Sequence, residues 1–367
     1  MGTVRDAFSD LLFPGTSTLH TRAKYILFIP WIFLQRERRK TRSEYIAIGS
    51  RSDEIHLIYC LLDSGEKDGV IGQDAKDSLK ILPSYMYWSG LGKWGIRRFN
   101  GSLDQYFRSL DNFYSYGESR ILSDDKEPIT DIRVNWDPNI IKLPKDFPKG
   151  ASLELSYKEA GYLHDRILAS CPESLLAFLV DRTEPTQNIP YIWYHLDAER
   201  FPKKIIKILK HSQNFSEVIQ GAALLYNLML SEKSKNQEYE EGYRNKIGKW
   251  AGEIEARFSE IDDWDLIEFW EIVREENRHI PQLTQRFIER WISIVRGSKG
   301  LGQIADDKSA RKLVYDREVR IKRNRSRLKN PQMLAQWSGA AGTRRFDFRW
   351  YIVKRIVNDI LDGLGRK

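Results

Sequence analysis

Apolar positions along this chain recur mainly at helical spacing, and few stretches alternate as a half-buried strand would. "VRDAFSDLLF" is amphipathic over a turn or two, and "SRSDEIHLIYCLLDS" places Ile55, Ile58, Leu61 and Leu62 on one helix face. "DAKDSLKILPSYMYWSGLGKWGIRRF" predicts a helix to Ile81, a turn at Pro83, a second helix to about Trp94 and a short strand from Ile96 to Phe99, the order of a winged-helix-like element near 72–99. From Tyr116 to Gly150 the periodicity lapses, and Pro128, Pro138, Pro144 and Pro148 forbid a long helix, leaving one extended piece at Ile132–Trp136. Helices then resume. "SYKEAGYLHDRIL" opens on a Ser156-x-x-Glu159 capping box, and "SEVIQGAALLYNLMLSE" opens on Ser216 as its expected cap, with Gly221, Ala222 and Ala223 small enough to admit a neighbouring helix. The expected fold is mainly α, with two or three helical subdomains and only short β segments. Along the chain this gives an N-terminal helical domain (1–115), a proline-containing linker (116–150), a central helical domain (151–297) and a basic C-terminal helical region (298–367).

The opening stretch "LLFPGTSTLHTRAKYILFIPWIFLQRERRK" admits three readings. As a membrane segment it is too short, because the apolar run Tyr25–Leu34 has ten residues where a span needs about 20. As a secretory leader it lacks a small-residue cleavage site and continues into "QRERRKTR". The expectation is a buried helix bent near Pro30, with no membrane association. As a phosphate loop it has one glycine and no following lysine, short of a Walker motif. It does offer a Pro14-Gly15 turn, then Thr16, Ser17 and Thr18 as candidate N-caps, then a helix carrying Arg22 and Lys24 in its first turns. Gly15, Thr16, Ser17, Thr18, Arg22 and Lys24 are therefore candidate anion-binding residues. The alternative is an ordinary capped helix whose Arg22 pairs with a carboxylate such as Asp6 or Asp10.

Composition narrows the class. A chain of 367 residues with 11 Trp, 17 Tyr and 16 Phe can fill a sizeable core. Cys60 and Cys171 stand far apart in no metal-ligand or disulfide spacing, which predicts a reducing, cytoplasmic setting. The net charge of +8 is unevenly placed: residues 298–367 hold 18 Lys/Arg and 7 Asp/Glu, an excess of +11, so residues 1–297 carry 8 − 11 = −3. Basic character concentrated at one end is the footprint of a surface that meets a polyanion. Within it a helix is expected from about Asp307 to Leu328. Arg311, Lys312, Arg320, Lys322, Arg323, Arg325, Arg327 and Lys329 are its candidate nucleic-acid contacts, and Val314, Ile321 and Leu328 recur every seven positions as a narrow docking stripe. The bland counterpart is a solvated helix whose charges pair with the acidic centre.

Reaction chemistry leaves little trace. The six histidines form no HExxH and no pairing with cysteine, so no metal ligand set and no cofactor is implied. Glu268, Glu271, Glu275 and His279 share a helical face, and Glu276-x-x-His279 imitates half of a di-iron motif. No second half exists, and Arg274 and Arg278 at pairing distance favour a solvated ion-pair face. GxSxG and SxxK are absent. "GAAGT" at Gly339–Thr343, before Arg344 and Arg345, lacks the preceding strand of a phosphate loop and reads as a flexible connection.

"VRDAFSDLLFPGTSTLHTRAKYILFIPWI", "LPSYMYWSGLGKWGIRRF", "GSLDQYFRSLD", "FSEVIQGAALLYNLMLSE" and "WSGAAGTRRFDFRWYIVKRIVNDILDGL" together resemble an uncharacterised bacterial family of unknown function, almost end to end. The resemblance supplies no catalytic or binding residue. It implies membership among the cargo of phage-defence-like gene clusters with helicases and nucleases, and hence protein partners from the same cluster. It also implies a further segment before "RDAF", so that the chain is expected to begin inside a longer one. Two functional classes follow. The first is a non-enzymatic, nucleic-acid-associated helical protein, DNA rather than RNA, accessory to a bacterial defence or DNA-processing system. The second is an enzyme or a nucleotide or anion sensor whose pocket joins the Pro14–Lys24 turn to Arg344, Arg345 or Arg349.

Overall fold

The computed structural model describes residues 1–119, 134–182, 188–298 and 300–366. Among these residues the chain forms fifteen α-helices and no sheet. In order they are α1 (Gly2–Leu12), α2 (Tyr25–Arg38), α3 (Ser43–Asp63), α4 (Pro83–Lys93), α5 (Leu103–Ser119), α6 (Tyr157–Ser170) and α7 (Leu175–Val180). There follow α8 (Lys203–Ser234), α9 (Gln237–Glu255), α10 (Phe258–Asp262), α11 (Leu266–Glu276), α12 (Gln282–Gly297), α13 (Lys308–Lys322), α14 (Pro331–Ala335) and α15 (Trp350–Gly365). They gather into two compact units, each discontinuous in sequence. Unit I is Met1–Leu11 with Ile192–Phe348, and unit II is Leu12–Tyr191 with Arg349–Lys367.

Unit II is built on α2, whose residues Tyr25 to Phe33 are all buried, Pro30 among them. Such a helix has no solvent face to pattern, so it reads as an unbroken apolar run. Its aromatic side chains stack onto later segments: Phe28 and Trp31 meet Phe147, and Phe33 meets Trp136. The capping box opens α6 as expected, with Ser156 Oγ accepting the Glu159 N–H and the Glu159 carboxylate accepting the Ser156 N–H. The C-terminal helix α15 packs on α6, where a Cβ at Gly363 would lie 2.7 Å from Ala160 Cβ.

Unit I centres on the long helix α8, packed on α9, α12 and α13. The run Gly221-Ala222-Ala223 admits a close neighbour as its composition predicts. A Cβ at Gly221 would come within 2.3 Å of Trp250 on α9, whose indole N–H donates to the Glu217 carbonyl at 2.8 Å.

Several local expectations are corrected. Helix α2 begins at Tyr25 rather than after Thr16–Thr18, because the turn's polar side chains bond locally. Thr16 Oγ1 donates to the Phe13 carbonyl at 2.6 Å, and Ser17 Oγ accepts the Leu19 N–H at 3.2 Å. The first helix of the winged-helix-like element at 72–99 is absent. Gly72 (φ 83°) and Lys76 (φ 45°) hold left-handed conformations, only Lys76–Ser78 makes a 3₁₀ turn, and Pro83 opens α4 from its first position. The strand expected at Ile96–Phe99 is reduced to one antiparallel bridge, Arg97 with Trp136. Of the Ile132–Trp136 segment, residues 132 and 133 lie outside the described residues. Ser216 is not a cap. It lies inside α8, fully buried, with its hydroxyl donated to the Phe346 carbonyl at 2.8 Å. Gly339–Thr343 is anchored along its length: Tyr243 donates to the Gly339 carbonyl at 2.6 Å, the Asn227 side chain meets both the N–H and the carbonyl of Ala341 at 2.8 Å, and the Gln220 amide donates to the Thr343 carbonyl at 3.2 Å. His279 lies beyond the end of α11, and Glu268 on that helix meets Lys207 at 2.6 Å and His211 at 2.9 Å. No helix is long and apolar enough to cross a membrane among the described residues.

Candidate nucleic-acid interface

The basic helix α13 starts from Asp307, whose carboxylate accepts the Ala310 N–H at 2.7 Å. It ends at Lys322, six residues before the expected boundary at Leu328, and the cause is Glu318. Buried on the inner face, the Glu318 carboxylate accepts the Ser326 hydroxyl, the Arg327 N–H at 2.7 Å and the Tyr226 hydroxyl at 3.2 Å. These bonds turn the chain back at Arg323, which sits at φ 48°, and they bury Ser326 and Leu328. Ile321 is thereby left 61% exposed, so the seven-residue stripe holds at Val314 and Leu328 but fails between them.

The candidate contacts divide by partner. Arg311 is committed to Glu232 and to the Ala305 carbonyl at 2.6 Å, and Lys312 pairs with Asp316 at 3.0 Å. Lys322 approaches the Tyr226 hydroxyl at 3.2 Å and Glu318 at 3.7 Å, and Arg327 acts on Tyr226 from the folded-back segment. Arg320, Arg323, Arg325 and Lys329 are exposed, and none meets a carboxylate among the described residues.

Packing α13 on α12 adds residues that sequence reasoning missed. A groove of about 300 Å³ between the two helices is lined by Arg286 and Arg290 from α12, Arg317 and Arg320 from α13, and the apolar Leu283, Phe287 and Ile321. Arg317 lies over the Phe287 ring at 4.3 Å and is half-buried, and that burial lowers its pKa. The one carboxylate in the groove, Asp316, already meets Lys312. Four arginines thus line the groove against one carboxylate. Their signal in the sequence was present but faint: Arg286 and Arg290 stand four apart, facing away from the buried stripe Phe287, Ile288, Trp291, Ile292 and Val295.

A sequence profile described as a family of unknown function matches residues 1–364. The chain belongs to this family, DUF6361. No curated protein and no solved structure matches it. The family carries no assigned site, so the chemistry must be read from the geometry.

In this DUF6361 chain the opening turn serves the fold of unit II. Gly15, at φ 79°, lets the Trp94 indole approach, and that indole N–H donates to the Pro14 carbonyl at 2.9 Å. Thr18 is exposed, and the Thr16 carbonyl accepts a guanidinium N–H of Arg349 at 2.7 Å. Arg22 meets Asp359 of α15 at 2.9 Å, a carboxylate that also accepts the Ala23 N–H at 2.9 Å. Lys24, buried, meets Glu159 at 2.6 Å and the Glu154 carbonyl at 2.9 Å. Both cations of the turn therefore end on carboxylates, neither of them Asp6 or Asp10. Arg345, in unit I, pairs with Glu253 and with Gln220 at 2.6 Å, whereas Arg344 is exposed and meets no carboxylate among the described residues. No group of three His, Cys, Asp or Glu side chains able to hold a metal ion occurs among the described residues.

Proposed function

We propose that unit I of this chain grips the sugar-phosphate backbone of nucleic acid, duplex DNA before RNA, without catalysing a reaction on it. The observation that carries the reading is the groove between α12 and α13, lined by Arg286, Arg290, Arg317 and Arg320 against a single carboxylate, Asp316, that is itself bonded to Lys312. Guanidinium groups held together repel one another, and a polyanion relieves that repulsion while releasing its own counterions. Arginine suits the task because its planar fork engages phosphate oxygens two at a time. Arg323, Arg325 and Lys329 on the folded-back segment extend the same positive surface. The proposed contact is to backbone, giving affinity with little sequence preference. An accessory role in a bacterial defence or DNA-processing system rests on the family resemblance and belongs to the same proposal.

The test is fluorescence anisotropy with a labelled duplex over a salt series, comparing the parent with R286Q/R290Q/R320Q/R323Q. Each lost phosphate contact makes the log–log salt slope shallower by about 0.9, so four give roughly 3 to 4. A parent that fails to bind duplex at low salt, or a variant with unchanged slope, removes the reading.

A further inference from the structure

Helix α13 also walls a second pocket, of about 320 Å³, between itself and α8, adjoining the groove through Phe287, Arg317 and Ile321. Its body is apolar, formed by Ile219, Ala222, Phe287, Val314, Ile321 and Phe346. Its polar neighbours are nearly all spoken for. The Ser216 hydroxyl goes to the Phe346 carbonyl, and the Gln220 amide bridges the Thr343 carbonyl and Arg345. Tyr226, Glu318 and Lys322 bond to one another. What remains without a carboxylate in contact among the described residues is Arg317, half-buried over Phe287, Arg344, exposed, and the Met1 α-amino group, whose pKa burial and the nearby Arg317 lower to about 6.

We propose that this pocket binds a small amphiphilic carboxylate, an alkyl or aryl acid whose body lies among the apolar side chains and whose carboxylate meets Arg317 and Arg344. The volume equals roughly ten water molecules at about 30 Å³ each, which fits a body of about ten heavy atoms. Burying an apolar body there removes its surface from water. A carboxylate gives the two guanidinium groups the charge-assisted, bidentate partner that the protein itself does not provide. A ligand with many hydrogen-bonding groups, such as a nucleobase, is disfavoured because it would bury donors and acceptors with nothing free to meet them. The site shares Phe287, Arg317 and Ile321 with the groove, and its test is run without nucleic acid and so reads the pocket by itself.

Isothermal titration of the full chain with sodium decanoate tests it, with 1-decanol as the uncharged control. The expected result is saturable 1:1 binding of decanoate, with decanol weaker by at least about tenfold because it forms no charge-assisted bonds. R317Q/R344Q weakens decanoate by a similar factor, and Ala223→Trp, which fills the pocket from α8, abolishes binding while the protein remains folded by circular dichroism. Should Ala223→Trp misfold, R317Q/R344Q decides. Absence of saturable decanoate binding to the folded parent overturns the proposal. So does binding that R317Q/R344Q leaves unchanged, or that decanol matches. Because no nucleic acid is present, failure here leaves the groove reading untouched, and failure of the groove reading leaves this one.

Discussion

Unit II uses its conspicuous cations to hold itself together, whereas unit I leaves a set of its cations without partners. Arg22 and Lys24 look on paper like ligands for an anion, yet Asp359 and Glu159 meet them inside the fold. Arg286, Arg290 and Arg320 stand among charged neighbours of both signs, yet no carboxylate reaches them. The same residue type has opposite consequences because burial favours a partner, a carboxylate for Arg22 and the Phe287 ring for half-buried Arg317, and exposure requires none. A charge taken out of water must be neutralised or it costs several kcal/mol, while an exposed one is solvated. A basic residue near a turn is therefore weak evidence of ligand binding until the packing around it is known.

The sharpest way to break this comparison is to remove a carboxylate from unit II. Asp359→Ala strands a largely buried guanidinium and leaves the Ala23 N–H without its acceptor. Breaking such a pair costs about 3 to 5 kcal/mol, read by urea denaturation, and added phosphate should not restore it. Full stability of the variant, or rescue by phosphate, would mean that Arg22 serves an anion after all.

Unit II also buries a carboxylate with no cation in contact. Glu54 on α3 accepts the Ser84 N–H at 2.8 Å and the Ser84 hydroxyl at 2.7 Å at the start of α4. Burial outweighs these bonds and raises its pKa from 4.5 to about 7. A carboxyl raised in the folded state binds its proton more tightly there than in the unfolded chain. Its contribution is full below pH about 4.5, declines as pH rises, and is lost above pH about 7. The decline amounts to roughly 3 kcal/mol. Glu54→Gln should flatten stability between those pH values and leave the variant the more stable at pH 8. An unchanged pH profile would refute the assignment.

The two units can also be compared at one close helix contact in each. Gly221→Ala in unit I drives a methyl into Trp250, which is fully buried and tied by its indole N–H, whereas Gly363→Ala in unit II meets Ala160. Overpacking of this kind costs about 1 to 3 kcal/mol. The Gly221 variant should lose more, because a held indole yields less than a helix shifting past a methyl group. Equal losses in thermal denaturation would show that α8 and α9 part as easily as α6 and α15.

How much of this was legible in the sequence follows from the range of the forces involved. Helical class, the Ser156 capping box and the close approach at Gly221 depend on residues within a few positions, and all three were readable. The helix before Pro83 was misread because Leu79, Ile81 and Leu82 suit a helix, while Gly72 and Lys76 had already turned the chain left-handed. Ser216 was misread because its hydroxyl partner, Phe346, lies 130 residues away. Of the proposed interface, the α13 arginines stood out as a run. Arg286 and Arg290 did not, since only the packing of α12 on α13 brings them into the same groove. Asp359 could not be named as the partner of Arg22 for the same reason: 337 positions separate them.

The smallest effect tests the other half of the comparison. Arg286, Arg290 and Arg320 are exposed and make no hydrogen bond or ion pair among the described residues. Changing all three to Gln removes no native contact and relieves mutual repulsion, which surface screening keeps small. Stability in urea at moderate salt should stay within about 0.5 kcal/mol of the parent, with any change on the stabilising side and larger at low salt. Arg317 is left out because its stacking on Phe287 gives it a packing role of its own. A loss above about 1.5 kcal/mol would show that these arginines support the fold as Arg22 does in unit II, and the distinction between the two units would fall. Near-neutral stability after the loss of three positive charges is what an arginine cluster kept for a partner should give.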